Sequence, residues 1–331
     1  MNAALLPLPL ADAGARYALR LAGRAAAAPM LPLAFDAFLY LEPAYLALQA
    51  TPGEELFFYL EDHLLARTVA QWPVVVHAAT AYSPYQAPFG GVQVAPAVPA
   101  AVVRAFLEAA HAALAERGVR HVRLRSYPAS YDPAASALLL ALLEELGYQT
   151  TLREENNVLP LQESFEAGLH PSERRRLRKC QRHGLQVEQE TPLLLPLAYE
   201  YVQRWREEKG QRPPTALEHL QVQVRTFPNS HFLFSVRARS GEWAALTLLI
   251  RVNSRVLYVF ECSSPLTYNA FSPVVLLMQG LHSFGQASGY ELLDLGTATL
   301  PGSPNHSLLQ FERHLGGVPG PRLTLEKQLS L

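Results

Sequence analysis

The residues whose types and spacing could do chemistry lie late in the chain. Glu261 ends the apolar run Val256-Leu-Tyr-Val-Phe260, where a carboxylate at a strand terminus could accept a proton from an amine. The plain alternative is a solvated strand end. Tyr258 alternates with Phe260 and reads either as a general acid or as core. Asp294 interrupts the apolar segment Leu292-Leu-Asp-Leu295. A carboxylate on a short buried strand needs a hydrogen-bond partner or a counter-charge, so Asp294 either orients a substrate or pins the loop that follows. Gly296 suits a turn or a close backbone approach. Residues 297–304 form a loop of Thr, Gly, Ser and Pro at that strand's C-terminal end, and Asn305 after it reads as a helix N-cap. His306 reads as a surface histidine.

A second group is basic. Residues 170–182 predict a helix with Ser172 as its cap, carrying Arg174, Arg175, Arg176, Arg178, Lys179 and Arg182. Arg175, Arg178 and Arg182 share one face at i, i+3 and i+7, a stripe able to hold phosphates or simply to face water. It is short and lacks interleaved aromatics, so by itself it does not argue for nucleic acid. Nucleophile-elbow, zinc-protease and P-loop patterns are absent from the sequence.

Elements to position these residues follow from periodicity. Residues 56–61 and 64–72 predict a hairpin, 74–79 a further strand, and 83–91 a turn-rich loop. A helix is expected over 99–117, a strand over 119–126, a helix from the Asp132 cap to Leu146, and a strand over 150–161. After the basic helix come helices at 197–209 and 215–227, separated by Gly210-Gln-Arg-Pro-Pro214. Strands follow at 232–238, 243–252 and 256–262, then a helix over 273–288, a strand over 292–296, a helix over 305–315 and a last strand near 322–327. A helix linking two strands in each half implies a parallel crossover within an otherwise antiparallel sheet.

The halves echo each other. Gly118-Val-Arg-His-Val-Arg-Leu124 parallels Gly289-Tyr-Glu-Leu-Leu-Asp-Leu295, and Leu143-Glu-Glu-Leu-Gly147 parallels Glu312-Arg-His-Leu-Gly-Gly317. The 331 residues accommodate two domains, expected at 1–160 and 161–331, with the chemistry in the second. Hydrophobic residues at 49% and charged residues at 17% supply a core, which excludes a disordered chain. A net charge of -1 provides no global field toward nucleic acid or anionic membrane. Cys180 and Cys262 have no metal spacing and exclude a multi-bridge disulfide framework, so a reducing, cytoplasmic setting is expected. The apolar start lacks a leading basic residue and is broken by Pro7, Pro9, Asp12 and Gly14, unlike a signal peptide. No uninterrupted run of about 20 apolar residues argues for a membrane helix.

Three segments resemble the FemAB-like branch of the GNAT (acyl-CoA N-acyltransferase) superfamily. They are Ser172-Glu-Arg-Arg-Arg-Leu-Arg-Lys-Cys-Gln-Arg-His-Gly-Leu-Gln-Val187, Ser272-Pro-Val-Val-Leu-Leu277 with Gly289-Tyr-Glu-Leu-Leu-Asp-Leu-Gly296, and Asn305-His-Ser-Leu-Leu-Gln-Phe-Glu-Arg-His-Leu-Gly-Gly317. Pro88-Phe-Gly-Gly91 is similar to a glycine loop of the first domain. The resemblance implies an α/β fold of two tandem GNAT-like domains, each with a mixed sheet. It implies transfer of an acyl or aminoacyl group from acyl-CoA or aminoacyl-tRNA to an amine on a cell-wall precursor, amino sugar or small metabolite. It places the donor beside the central helix, at Ser272 with Arg175 and Arg178. The acceptor is placed near Glu261, Asp294, Gly296 and Asn305, with Arg313 as a substrate-binding cation. Two features depart from the family pattern. Residues 264–273 contain none of the glycines of the usual pyrophosphate loop, and the family's Phe-Lys ending is Phe311-Glu312 here, with Arg313 one place later. These departures leave a non-catalytic binding or scaffold protein on the same fold as the alternative.

Overall fold

A computed structural model describes residues 4–8, 16–49, 51–211, 215–300 and 303–329. The breaks expected at Pro9, Asp12 and Gly14, the Arg212-Pro-Pro214 linker, and Pro301 and Gly302 of the late loop lie outside the described residues. The chain divides into two compact units, Met1–Glu154 with Pro321–Leu331, and Glu155–Gly320. The dividing line thus falls at 154/155 rather than at 160/161, and the last residues group with the first unit.

The first unit begins with an antiparallel meander of β1 (Ala4–Pro7), β2 (Tyr17–Gly23), β3 (Glu54–Asp62) and β4 (Arg67–His77). The expected hairpin is β3–β4. However, β4 runs through residues 67–77 as one strand, because Pro73 stays in register opposite Phe57 rather than breaking the pairing. β5 (Thr80–Ser83) turns back on β4, α1 (Ala100–Ala115) crosses over, and β6 (His121–Arg125) pairs with β5 in parallel. The side chain of Asp132 caps α2 (Pro133–Glu145) by accepting from the Ala135 N–H at 3.0 Å, and β7 (Gln149–Pro160) follows. Val102, Val103, Phe106, Leu107 and Leu114 of α1 pack with Trp72 and Phe58 of the sheet in one core. Each such side chain stabilises the unit by about 1.5–3 kcal/mol on burial.

The second unit holds α3 (Pro171–Arg182), β8 (Gln186–Glu190), α4 (Leu195–Glu207), α5 (Leu217–Thr226), β9 (His231–Arg237), β10 (Trp243–Arg251) and β11 (Val256–Ser263). Then come α6 (Pro273–Ala287), β12 (Leu292–Thr297) and α7 (His306–His314); β13 (Val318–Gln328) follows, and from Pro321 onward it belongs to the first unit, where it pairs antiparallel with β6. The sheet of the second unit has the order β7-β12-β11-β10-β9-β8. Every pairing is antiparallel except β11 with β12, which is parallel. α6 supplies that crossover and buries Val275, Leu277, Met278 and Leu281 against Leu249, Leu257 and Leu293. The cap of α3 is His170, whose Nδ1 accepts the Ser172 N–H at 3.3 Å, rather than Ser172 itself. Thr299–Leu300 and Ser303–Pro304 pair as a small ribbon ahead of α7. Among the described residues no helix is long and apolar enough to cross a membrane.

Candidate functional site

The parallel pairing of β11 and β12 covers only Val256↔Leu292, Leu257↔Leu293 and Tyr258↔Asp294. Beyond Tyr258 the two strands part. On the other side of β11 the register to β10 shifts between Leu248↔Phe260 and Leu246↔Ser263, which is a bulge. Glu261 sits in it with φ +53°, a left-handed conformation that costs a non-glycine residue about 1 kcal/mol or more. A bulge re-aims its side chain and releases ladder N–H groups. A cavity of about 560 Å³ opens at this place. Tyr258 and residues 259–264 form one wall, Leu295, Gly296 and Thr297 another, and Ser272 and Pro273 at the start of α6 a third. Leu308, Phe311 and Glu312 of α7 also line it.

Two of the lining groups are carboxyls pushed toward neutral pH. Burial raises Glu261 to about 7, against the pull of Arg206, whose Nη2 lies 2.7 Å from Oε2. Burial prevails because taking the two charges out of water costs more than their mutual attraction returns. Glu312 is 3% exposed. Burial raises it to about 8; the hydrogen bond from Asn157 Nδ2 at 2.8 Å pulls it down, and Asp294 and Glu155 push it up. Burial also holds the Lys209 ammonium below its ordinary range, and Lys209 Nζ donates to the Ser264 carbonyl at 2.5 Å. Cys262, in the same wall, has its thiol pushed up to about 12 by burial, so no thiolate nucleophile is available near neutral pH.

The expected site residues divide. Glu261, Tyr258, Ser272 and Gly296 line the cavity. Ser272 precedes α6 with φ +53°, and neither a side-chain cap nor an acidic residue covers the first turn of this helix. A Cβ on Gly296, at φ +88°, would stand 3.4 Å from the Tyr258 ring. Asp294 is 2% exposed and holds structure: Oδ1 accepts from Asn156 Nδ2 at 2.8 Å and from the Gly296 N–H at 2.7 Å. Asn305 caps α7, its Oδ1 accepting the Leu308 N–H at 3.2 Å. Arg313 donates through Nη2 to both oxygens of Glu155 at 2.8 Å. None of these three lines the cavity. Arg175 and Arg178 are exposed on α3 and lie away from it, whereas Arg176 lines it while paired with Glu173 at 2.8 Å. Lys179 of the same helix is committed to structure, with Nζ donating to the Ala270 carbonyl at 2.6 Å and lying over the Phe271 ring. Sequence reasoning missed Arg176, Arg206, Lys209 and Glu312 as site residues. The one available signal was the exchange of Lys for Glu312 in the family ending. Among the described residues no group of three His, Cys, Asp or Glu could hold a metal ion.

No family model matches the chain, and no curated protein matches it. Solved structures do. FemX is similar at a TM-score of 0.65 and 11% identity, over 82% of this chain and 87% of that one. A conserved protein of unknown function from Bacteroides thetaiotaomicron is similar at 0.57 and 10%, over 87% and 90%. The L-PGS of Bacillus licheniformis is similar at 0.53 and 12%, over 78% and 80%. At these identities the likeness is one of fold. The chain shares the mixed α/β fold of FemX and of L-PGS.

Proposed function

We propose that the Glu155–Gly320 unit transfers an acyl or aminoacyl group to the nitrogen of an amine. The observation that carries this reading is the parting of β11 and β12 after Tyr258↔Asp294, which surrounds one cavity with a strand bulge, a buried carboxyl and a helix N-terminus. The amine attacks the donor carbonyl and a C–N bond forms. Glu261 takes the amine proton, a task suited to a carboxyl near 7. Backbone N–H groups of the bulge polarise the carbonyl oxygen. The C–S or C–O bond to the donor's carrier breaks, and the leaving thiolate or alkoxide takes a proton from the Tyr258 hydroxyl.

For an acyl-CoA donor, the open first turn of α6 at Ser272 would receive phosphate, with Arg176 as a cation in the same wall. Residues 264–271 bring no glycine, and Pro273 has no N–H to give, so the cradle is narrower than a glycine loop. That stretch favours the second reading, a non-catalytic binding protein on the same fold, or a donor other than acyl-CoA such as aminoacyl-tRNA. Calorimetric titration with acetyl-CoA and longer acyl-CoAs, and filter binding with charged tRNA, separate these. The transfer reading expects one donor class to bind and to lose its acyl group to an added amine. Binding of neither class would overturn it.

A further inference from the structure

The cavity contains a carboxyl that the proposed transfer step does not use. Glu312 is more than nine-tenths buried, yet it lines the open space. Its Oε2 accepts from Asn157 Nδ2 at 2.8 Å. Among the described residues Oε1 takes no hydrogen bond and no cation pairs with either oxygen. The charged groups that act on it, Asp294 of β12 and Glu155 of β7, are both acids. Arg313, next along α7, is held on Glu155 by both carboxylate oxygens. The Asn157 Oδ1 beside it is also buried without a partner. Glu261 differs, since Arg206 already neutralises it.

A buried carboxylate with no counter-charge is costly, so it either keeps its proton or receives a cation from outside. The room for that cation is the cavity, and the surface beside Glu312 is apolar, formed by Leu308, Phe311 and Leu315. We infer that Glu312 holds an alkylammonium group of the substrate, so that the acceptor is an aliphatic amine with a second amino group. One nitrogen reacts at Glu261, the methylene stem lies along α7, and the other nitrogen, as ammonium, donates to Glu312. The same acids disfavour phosphate or carboxylate at this position.

This inference rests on the transfer reading only in sharing its cavity, and it is tested without a donor. The full chain is titrated calorimetrically with 1,5-diaminopentane and with pentane-1,5-diol. The diamine binds about tenfold or more tightly than the diol, as expected for one charged hydrogen bond. Glu312→Gln, which keeps an acceptor for Asn157, and Glu312→Met, which keeps the volume, both bring the diamine down to the level of the diol. Equal binding of the two probes to the wild type, absence of binding by both, or a preference retained in either variant would overturn the inference. Donor binding measured on the same samples reports separately on the transfer reading.

Discussion

Each unit joins two parallel strands through one helix, and the two units treat the opening beyond that pairing in opposite ways. In the first unit β5 and β6 pair from Thr80↔His121 to Ser83↔Leu124. Just past this point Phe89, Gly90 and Gly91 close the seam. The Gly90 N–H donates to the Arg125 carbonyl at 2.9 Å, and the Gly91 N–H donates to Ser83 Oγ at 2.9 Å. Ser83 Oγ in turn donates to the Pro73 carbonyl at 2.6 Å. In the second unit the pairing stops at Tyr258↔Asp294, and among the described residues the corresponding opening is a cavity with ionisable walls. A cavity of about 270 Å³ in the first unit is lined chiefly by apolar side chains such as Leu124, Leu139 and Leu323. One topology therefore gives a sealed seam or a cleft, according to whether a glycine pair can bring its backbone between the strands. The glycines of Pro88-Phe-Gly-Gly91, similar in sequence to a glycine loop of the family's first domain, act here by packing.

The largest expected effect comes from removing the base that the open cleft holds. Glu261→Gln should lower the rate of amide formation by about 10²–10⁴-fold, the usual contribution of general-base catalysis, with donor binding retained. In the wild type the rate should rise with pH through about 7, since the acid form of Glu261 cannot accept a proton. A flat profile, or a variant with full activity, removes Glu261 from the chemistry and with it the functional contrast between the two openings.

The seam should respond in the opposite manner. A Cβ at Gly90 would lie 2.4 Å from the Pro84 nitrogen and 2.5 Å from the Ser83 carbonyl carbon, both backbone atoms. Gly90→Ala should therefore destabilise the protein by about 3 kcal/mol, within the range of severe overpacking, and leave donor affinity unchanged in the folded fraction. Gly296→Ala should cost less stability, about 1 kcal/mol for a left-handed position, while crowding Tyr258 and lowering activity. Urea denaturation paired with donor titration distinguishes the two. If both variants lost stability and activity alike, the contrast between a packing glycine and a site glycine would fail.

Glu312 sharpens the same comparison through pH. Its folded value near 8 lies above the ordinary carboxyl value of 4.5. A raised acid binds its proton more tightly in the folded state, so the wild type loses stability as pH climbs from about 4.5 to about 8. Glu312→Gln abolishes that loss. It should match the wild type near pH 4 and be the more stable at pH 8 by on the order of 4 kcal/mol, read from urea midpoints at both values. A variant that is less stable at both would mean that the carboxylate pairs with a cation in the folded protein.

Much of the architecture was legible because its signals are local. Gly118, Gly147, Gly289 and Gly316 all take positive φ at helix ends, and the crossover helices have continuous apolar stripes. β2 was not legible, because its Tyr-Ala-Leu-Arg-Leu run follows an Ala- and Pro-rich start without clear alternation. β8, Gln-Val-Glu-Gln-Glu, looks solvated and becomes a strand only by pairing with β9. The site was half legible. Glu261 and Tyr258 follow an apolar strand, which flags them. Arg206, Lys209 and Glu312 sit among other charges at the ends of amphipathic helices, where a sequence reads as a wet face. They line a cavity that lies where β11 and β12 part, and that is a tertiary feature. Asp294 was expected to need a partner, and its partners include Asn156 and the backbone of Gly296.

The smallest expected effect concerns the basic stripe. Its i, i+3, i+7 spacing suggested a phosphate grip by Arg175 and Arg178, yet both side chains are exposed and away from the cavity, while Arg176 on the adjacent face lines it. Exposed cations interact with a ligand beyond the Debye length of about 8 Å only weakly at physiological salt. Arg175→Ala with Arg178→Ala should then change donor affinity by about twofold or less, an effect that shrinks further as salt is added. Arg176→Ala should weaken the donor more, and it also takes the arginine from Glu173, whose side chain is 1% exposed and keeps the Ser172 hydroxyl at 3.0 Å and the His314 ring at 3.8 Å. Its cost is therefore read against Glu173→Gln with Arg176→Ala, which removes the stranded charge. A double variant at Arg175 and Arg178 that loses donor binding altogether would move the phosphate site out of the cleft and onto the outer face of α3. The open seam would then be the place of reaction but not of donor recognition.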